Sequence, residues 1–363
     1  MKNVLIIIGT RPNFIKVTQF KSVFSKYDNI TLKIAHTGQH FDKNMADVFF
    51  DQFNLRPDYF LNIDQSSPLD QMAGIFIELQ KLILNTFKPD LIITPGDVNS
   101  TLAVAIAANK LKIPVAHLES GLRSEDRNMP EEINRILTDE ISDYFFITEP
   151  SGIENLKLEN KKGKLFHVGN TMIDTLVSFN KEIENSKVIT DLKIDGKFVL
   201  MTIHRPSNVD NKEGLETLLN LIEKLSSTYQ IVFPIHPRTL GNISKFNLKN
   251  KFDNLSNIIL SPPMGYFEFQ KLVKNCEFVL TDSGGIQEET TFRLKPCLTL
   301  RNNTERPITI SQGTNTLVPF ELKSILNEIN KIENGTYKKG EIPNLWDGKT
   351  TERICDIIVN KIL

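Results

Sequence analysis

Cysteine is scarce in this chain. There are three, Cys276, Cys297 and Cys355, and they share no metal-binding spacing. Cys276 and Cys297 lie in apolar runs and read as buried thiols, which suits a reducing cytosol. Charge of one sign is not in excess either. A formal net charge of −1 gives no bulk attraction to nucleic acid or to an acidic membrane surface. No apolar run approaches the length of a membrane span. The N-terminal run Met1 to Gly9 is too short for a signal peptide and reads as a strand, so a cytoplasmic protein is expected. Solenoid repeats and low-complexity tracts are missing. His36 and His40 are four residues apart, but they straddle a glycine loop, so no metal pair is expected there.

What is present is ordinary globular composition, 40% apolar and 24% charged over 363 residues. That length suits two domains of about 100–200 residues each. Short apolar runs alternate with helical patterns through both halves, which predicts α/β architecture with two doubly wound, Rossmann-like parallel sheets. In the first half the runs are 4–8, 30–36, 91–94, 115–118, 143–148 and 164–168. In the second they are 198–203, 230–235, 257–260, 277–280 and 296–300. A boundary near residue 170 divides the chain into domains 1–170 and 171–363, and the last helix, about 350–363, is expected to pack back on the first domain. Ligands of such sheets gather at the carboxyl ends of the strands, so a cleft faced by both domains is expected.

The stretch Thr281 to Glu289 organises the second half. An apolar strand runs into Ser283-Gly284-Gly285 and then a helix. Glycines there allow close backbone approach, and the N–H groups of a helix start favour a phosphate. A plain strand-to-helix turn would look the same. The acidic pair Glu288-Glu289 adds a carboxylate able to accept ribose hydroxyls, although the spacing is not that of a dinucleotide fingerprint. Two strands of this half end in histidine, His204 and His236, for which a satisfied structural role is the commoner one.

The first half carries the charges. Arg11 and Lys16 follow the first strand and suit a bound anion, or are solvated surface cations. Asp97 follows the third, with Asn99 or Ser100 expected to cap the next helix and Asp97 facing the cleft. Glu119 directly follows a buried strand, which is costly unless the residue is paired or functional. Glu131 and Glu132 follow Pro130 at a helix start, where the helix dipole alone accounts for an acid.

Six ordered motifs carry a resemblance: Gly-Thr-Arg-Pro-x-x-Ile-Lys (9–16), Gly-Asp-x-x-Ser-Thr (96–101), His-x-Glu-Ser-Gly-Leu-Arg (117–123), Met-Pro-Glu-Glu-Ile-Asn-Arg (129–135), Thr-Asp-Ser-Gly-Gly-Ile-Gln-Glu-Glu (281–289) and Thr-Glu-Arg-Pro (304–307). Over nearly its whole length the chain resembles the non-hydrolysing UDP-N-acetylglucosamine 2-epimerases. The resemblance implies a glycosyltransferase-B type fold, a homodimer, and interconversion of UDP-GlcNAc and UDP-ManNAc with no metal or other cofactor. It implies Asp97, Glu119 and Glu131 as acid–base carboxylates, and Arg11, Lys16 and His204 at the diphosphate and leaving group. Ser283, Gly284 and Gly285 match the phosphate turn, Glu289 the ribose carboxylate and Phe269 an aromatic beside uracil. His236 and Arg306 match positions near the nucleotide.

Two departures stand out. Asn13 replaces an acid of many relatives, and Thr-Ile-His-Arg-Pro-Ser-Asn (202–208) replaces the Gly-His-Arg-Arg-Glu of enterobacterial-type members. Both bear on activation by bound substrate and on substrate identity. The alternatives are a 2-epimerase of a UDP-2,3-diacetamido uronic sugar, a hydrolysing epimerase, a glycosyltransferase of the same fold and a non-catalytic nucleotide-sugar sensor.

Overall fold

The computed structural model describes residues 1–38, 49–64 and 66–363. The chain forms two compact units, Met1–Ser178 with Asn344–Leu363, and Phe179–Pro343.

The first unit is built on β1 (Lys2–Ile8), where Val4 to Ile8 are all buried. A continuous apolar strand of this kind belongs inside a parallel sheet covered on both faces. The other strands are β2 (Ile30–His36), β3 (Tyr59–Phe60), β4 (Leu91–Pro95), β5 (Val115–Leu118), β6 (Tyr144–Ile147) and β7 (Lys164–His167). Their order is β3-β2-β1-β4-β5-β6-β7, and every described pairing is parallel. Order reverses beside β1, which opens a switch point at the carboxyl ends of β1 and β4.

The second unit repeats the scheme with β8 (Phe198–Thr202), β9 (Gln230–Pro234), β10 (Ile258–Ser261), β11 (Val279–Thr281), β12 (Cys297–Thr299) and β13 (Asn315–Leu317), in the order β10-β9-β8-β11-β12-β13. Strand periodicity divides its core in two. Val199, Met201, Ile231 and Phe233 point to one face and pack with Leu215, Leu218 and Ile222 of helix Lys212–Leu225. Phe198, Leu200 and Val232 point to the other, with Leu272 and Val273 of helix Tyr266–Asn275. Each such fully buried side chain contributes about 1.5–3 kcal/mol of transfer free energy.

The expected strands form with ends shifted by at most two residues. The edge strands β3 and β13 were not expected; at two and three residues they are too short for an alternation to register. The helix after β4 also differs from expectation. It spans Asn99–Lys110, and its cap position is Val98, with no side-chain cap bond. Asn99 instead donates to Gln71 Oε1 and accepts from Asn134 Nδ2.

The C-terminal segment belongs to the first unit. The buried Trp346 donates Nε1–H to Thr148 O at 3.2 Å. Asp174 accepts the N–H groups of Thr350 and Thr351 at the start of helix Thr350–Ile357, whose last turns widen into a π-helix, Ile358–Ile362. All three cysteines are buried. Among the described residues, no helix is long and apolar enough to cross a membrane.

Candidate active site

In the first unit the charged residues gather at the carboxyl ends of β1, β4 and β5. Lys16 Nζ bonds Glu119 Oε2, and both side chains are 7% exposed. Glu119 has φ +72°, a left-handed backbone costly to a residue with a Cβ. Gly96, at φ +73°, turns the chain after β4, and a Cβ there would lie 3.1 Å from both Lys16 Nζ and Asn13 Oδ1. Asn13 itself donates Nδ2–H to Pro95 O at 3.0 Å, beside the Thr101 hydroxyl on the same carbonyl at 2.8 Å. An acid at position 13 has no hydrogen to give that carbonyl when ionised.

Asp97, expected to face a ligand cleft, follows β4. Its Oδ2 is bonded by Arg135 Nη2, and Asn134 Nδ2 holds its backbone carbonyl at 2.9 Å. Arg135 also bonds Glu132, which is 1% exposed and accepts the N–H groups of Ser124 and Glu125. Of the acidic pair at this helix start, Glu132 therefore lies in the buried network, while Glu131 is exposed in the first turn. Arg11 lies 4.5 Å over the Phe49 ring, and burial lowers the pKa of its guanidinium. His36 is buried, accepts Gly38 N–H at 2.8 Å and is pushed down to about 4 by desolvation. His40 lies outside the described residues.

In the second unit the centre is Asp282, fully buried between β11 and the glycine turn. It accepts the backbone N–H groups of His204 and Arg205 at 3.0 and 2.8 Å and Asn208 Nδ2–H at 3.1 Å, and its Oδ1 lies 3.1 Å from His204 Nδ1. Burial would raise its pKa, but His204 and these N–H groups bring it below the usual carboxylate range. His204 stacks on His236 at 5.2 Å between ring centroids. His236 caps helix Pro237–Lys245 by accepting Arg238 N–H, and burial, then the charges of His204 and Arg238, lower its pKa.

Ser283 stands at the N-cap of helix Gly284–Phe292. Glycine at 284 also has a reason within the fold. A Cβ there would sit 2.8 Å from Glu305 Oε1 and 2.9 Å from Arg306 Nη1. Those ends are not slack, because Arg306 pairs with Glu288 and Glu305, and Glu305 with Arg301, all of them buried. Gly284→Ala is expected to destabilise the protein by about 1–2 kcal/mol in chemical denaturation, although alanine is the better helix former.

Glu289 is 4% exposed. Desolvation lifts its pKa from 4.5 to about 7, against opposing contributions from Gln270, Arg293 and Tyr266. Phe269, on the same helix as Tyr266 and Gln270, packs on the adjoining apolar cluster. Because the folded pKa exceeds the unfolded one, the contribution of Glu289 to stability is most favourable below pH 4.5 and is lost as pH rises to about 7. The loss approaches about 3 kcal/mol. Glu289→Gln should remove that part of the decline, measured as unfolding free energy at pH 5 and pH 8 in parallel with the unaltered protein.

Sequence reasoning did not single out Asp282 or Arg135, although both stand inside quoted motifs. Arg135 falls three residues after Glu132 on one helix face, a spacing that could have signalled the pair.

Two parallel sheets with charged side chains gathered beyond the strand ends define a doubly wound α/β protein. Residues 23–359 match the family model for UDP-N-acetylglucosamine 2-epimerase. The chain is 42% identical over 362 residues to the UDP-N-acetylglucosamine 2-epimerase of Methanocaldococcus jannaschii, covering 97% of this chain and 98% of that one. The crystal structure of the M. jannaschii UDP-GlcNAc 2-epimerase in complex with UDP-GlcNAc and UDP superposes with a TM-score of 0.88, covering 99% of each chain. A UDP-2,3-diacetamido-2,3-dideoxy-D-glucuronate 2-epimerase of Pseudomonas aeruginosa is 38% identical over 320 residues, 87% of this chain and 88% of that one. The chain belongs to the UDP-N-acetylglucosamine 2-epimerase family.

Proposed function

We propose that this protein is a non-hydrolysing 2-epimerase that interconverts UDP-GlcNAc and UDP-ManNAc. The observation that carries the reading is a pair of ion-paired carboxylates, Asp97 with Arg135 and Glu119 with Lys16, following the adjacent strands β4 and β5. The hydrogen on sugar carbon 2 is not acidic, because no carbonyl flanks that carbon. Breaking the bond from carbon 1 to the diphosphate oxygen makes carbon 1 cationic, and the neighbouring hydrogen becomes acidic. A carboxylate takes that proton and leaves 2-acetamidoglucal and UDP. Proton return to the opposite face of carbon 2, with re-formation of the bond to UDP, gives the epimer. Atoms and charge balance without an oxidant or a water molecule.

The roles are those that the family resemblance implies, position by position. Asp97, Glu119 and Glu131 serve as the acid–base carboxylates. Lys16, Arg11 and His204 stabilise the departing diphosphate, the kind of charge that preorganised cations favour. Ser283, Gly284 and Gly285 take the phosphates, His236 and Arg306 lie near the nucleotide, Glu289 takes the ribose, and Phe269 lies against uracil. A homodimer accompanies this reading.

The test is product analysis after incubation of the pure protein with UDP-GlcNAc. Formation of UDP-ManNAc is expected. Free ManNAc with UDP would replace the reading with a hydrolase. The P. aeruginosa relative supports a second reading, the UDP-diacetamido uronic sugar, which would turn over in place of UDP-GlcNAc.

A further inference from the structure

His117 lies on β5 two residues before Glu119, fully buried. Its Nε2 is 2.7 Å from the carbonyl oxygen of Gly96, the residue that precedes Asp97. Its Nδ1 is 2.6 Å from Asp139 Oδ1. A carbonyl oxygen and an ionised carboxylate only accept hydrogen bonds. The second oxygen of Asp139 accepts Gly121 N–H at 3.1 Å and Arg123 Nη1–H at 2.7 Å. Arg123 is fixed in turn by Glu159, with Nε and Nη2 at 2.7 and 2.8 Å from its two oxygens. The Arg123 guanidinium and the Gly121 N–H on that oxygen favour the charged form, so Asp139 is a carboxylate. Both ring nitrogens of His117 therefore carry hydrogen.

We propose that His117 is a buried imidazolium, anchored by Asp139, that acts as the positioning residue for both loops bearing the first unit's acid–base carboxylates. On one side it fixes the Gly96 carbonyl, and so the peptide that leads into Asp97. On the other, Asp139 holds Gly121 N–H, just beyond Glu119. Both turns need holding, because Gly96 and Glu119 sit at φ +73° and +72°. Their carboxylates bond cations on other elements, Arg135 and Lys16. A neutral ring offers one donor, so either the Gly96 carbonyl or the Asp139 anchor would lose its hydrogen bond from the ring. His117 touches no reacting atom; supporting groups of this kind typically change activity by about 10–100-fold. The inference rests on the epimerase reading for its kinetic part and is independent of it for the protonation state.

The experiment has two arms on the full chain. In protein labelled with ¹⁵N-histidine, the His117 ring, assigned by its loss in His117→Asn or, failing that, by through-bond correlation, is expected to show hydrogen on both nitrogens at pH 7. A bare ring nitrogen would overturn the proposal. In the kinetic arm, His117→Asn should lower kcat about 100-fold and leave KM and UDP affinity within about threefold. If that variant does not fold, Asp139→Asn takes its place with the same expected loss. A folded variant with kcat within about threefold of the unaltered protein would overturn the positioning role. Absence of epimerisation by the unaltered protein would refute the proposed function instead, and leave the nitrogen spectrum to decide the imidazolium.

Discussion

Asp97→Asn and Glu119→Gln are each expected to lower kcat by about 10²–10⁴-fold, the range of a single acid–base group, while UDP still binds. The substitutions are nearly isosteric, so shape is kept and charge is lost. In Glu119→Gln the ammonium of Lys16 stays in a site where both partners are 7% exposed, without its counter-ion. Removing one partner of a buried pair costs about 3–5 kcal/mol, so part of the effect will show as lost stability. Asp97→Asn is the cleaner variant, because its carboxylate is 27% exposed and Arg135 keeps Glu132 as a second partner. Steady-state kinetics with a UDP titration separates the two effects. Full activity in folded Asp97→Asn would favour a protein that reads nucleotide sugars without transforming them.

Asp282→Ala is expected to reduce stability by about 3–5 kcal/mol and to abolish UDP binding. The side chain is fully buried and accepts two backbone N–H groups and an amide, with the His204 ring beside it. Each orphaned donor costs about 1–3 kcal/mol. Those donors belong to the segment from His204 to Asn208, so its conformation goes with them. Chemical denaturation followed by circular dichroism measures the first effect, and calorimetric titration with UDP the second. A loss below about 1 kcal/mol would show that the segment keeps its shape unaided.

The sheets were legible because parallel strands covered on both faces are continuous apolar runs. Val4 to Ile8 and Val199 to Met201 announce themselves without any alternation. The site was legible as residue types at strand ends, and its partnerships were not. Arg135 stands far from Asp97 in sequence, and their bond depends on how one helix packs beside β4. Asp282 sat within the most conspicuous stretch of the chain, yet glycines and a later acid drew the functional reading, because a carboxylate inside an apolar strand end looks like a defect until its donors are seen. Glycine at 284 suggested ligand approach, and its packing against Glu305 and Arg306 could not be read from the sequence. Asn13 has a local reason in the Pro95 carbonyl that it holds.

The most direct test of the account is the fate of the hydrogen on carbon 2. The pure protein, incubated in deuterated water with UDP-GlcNAc and no added metal or nicotinamide, is followed by proton NMR. Proton removal by one carboxylate and return to the opposite face predict that the UDP-ManNAc formed carries deuterium at carbon 2. Epimer that keeps its original hydrogen there would contradict the proposed chemistry.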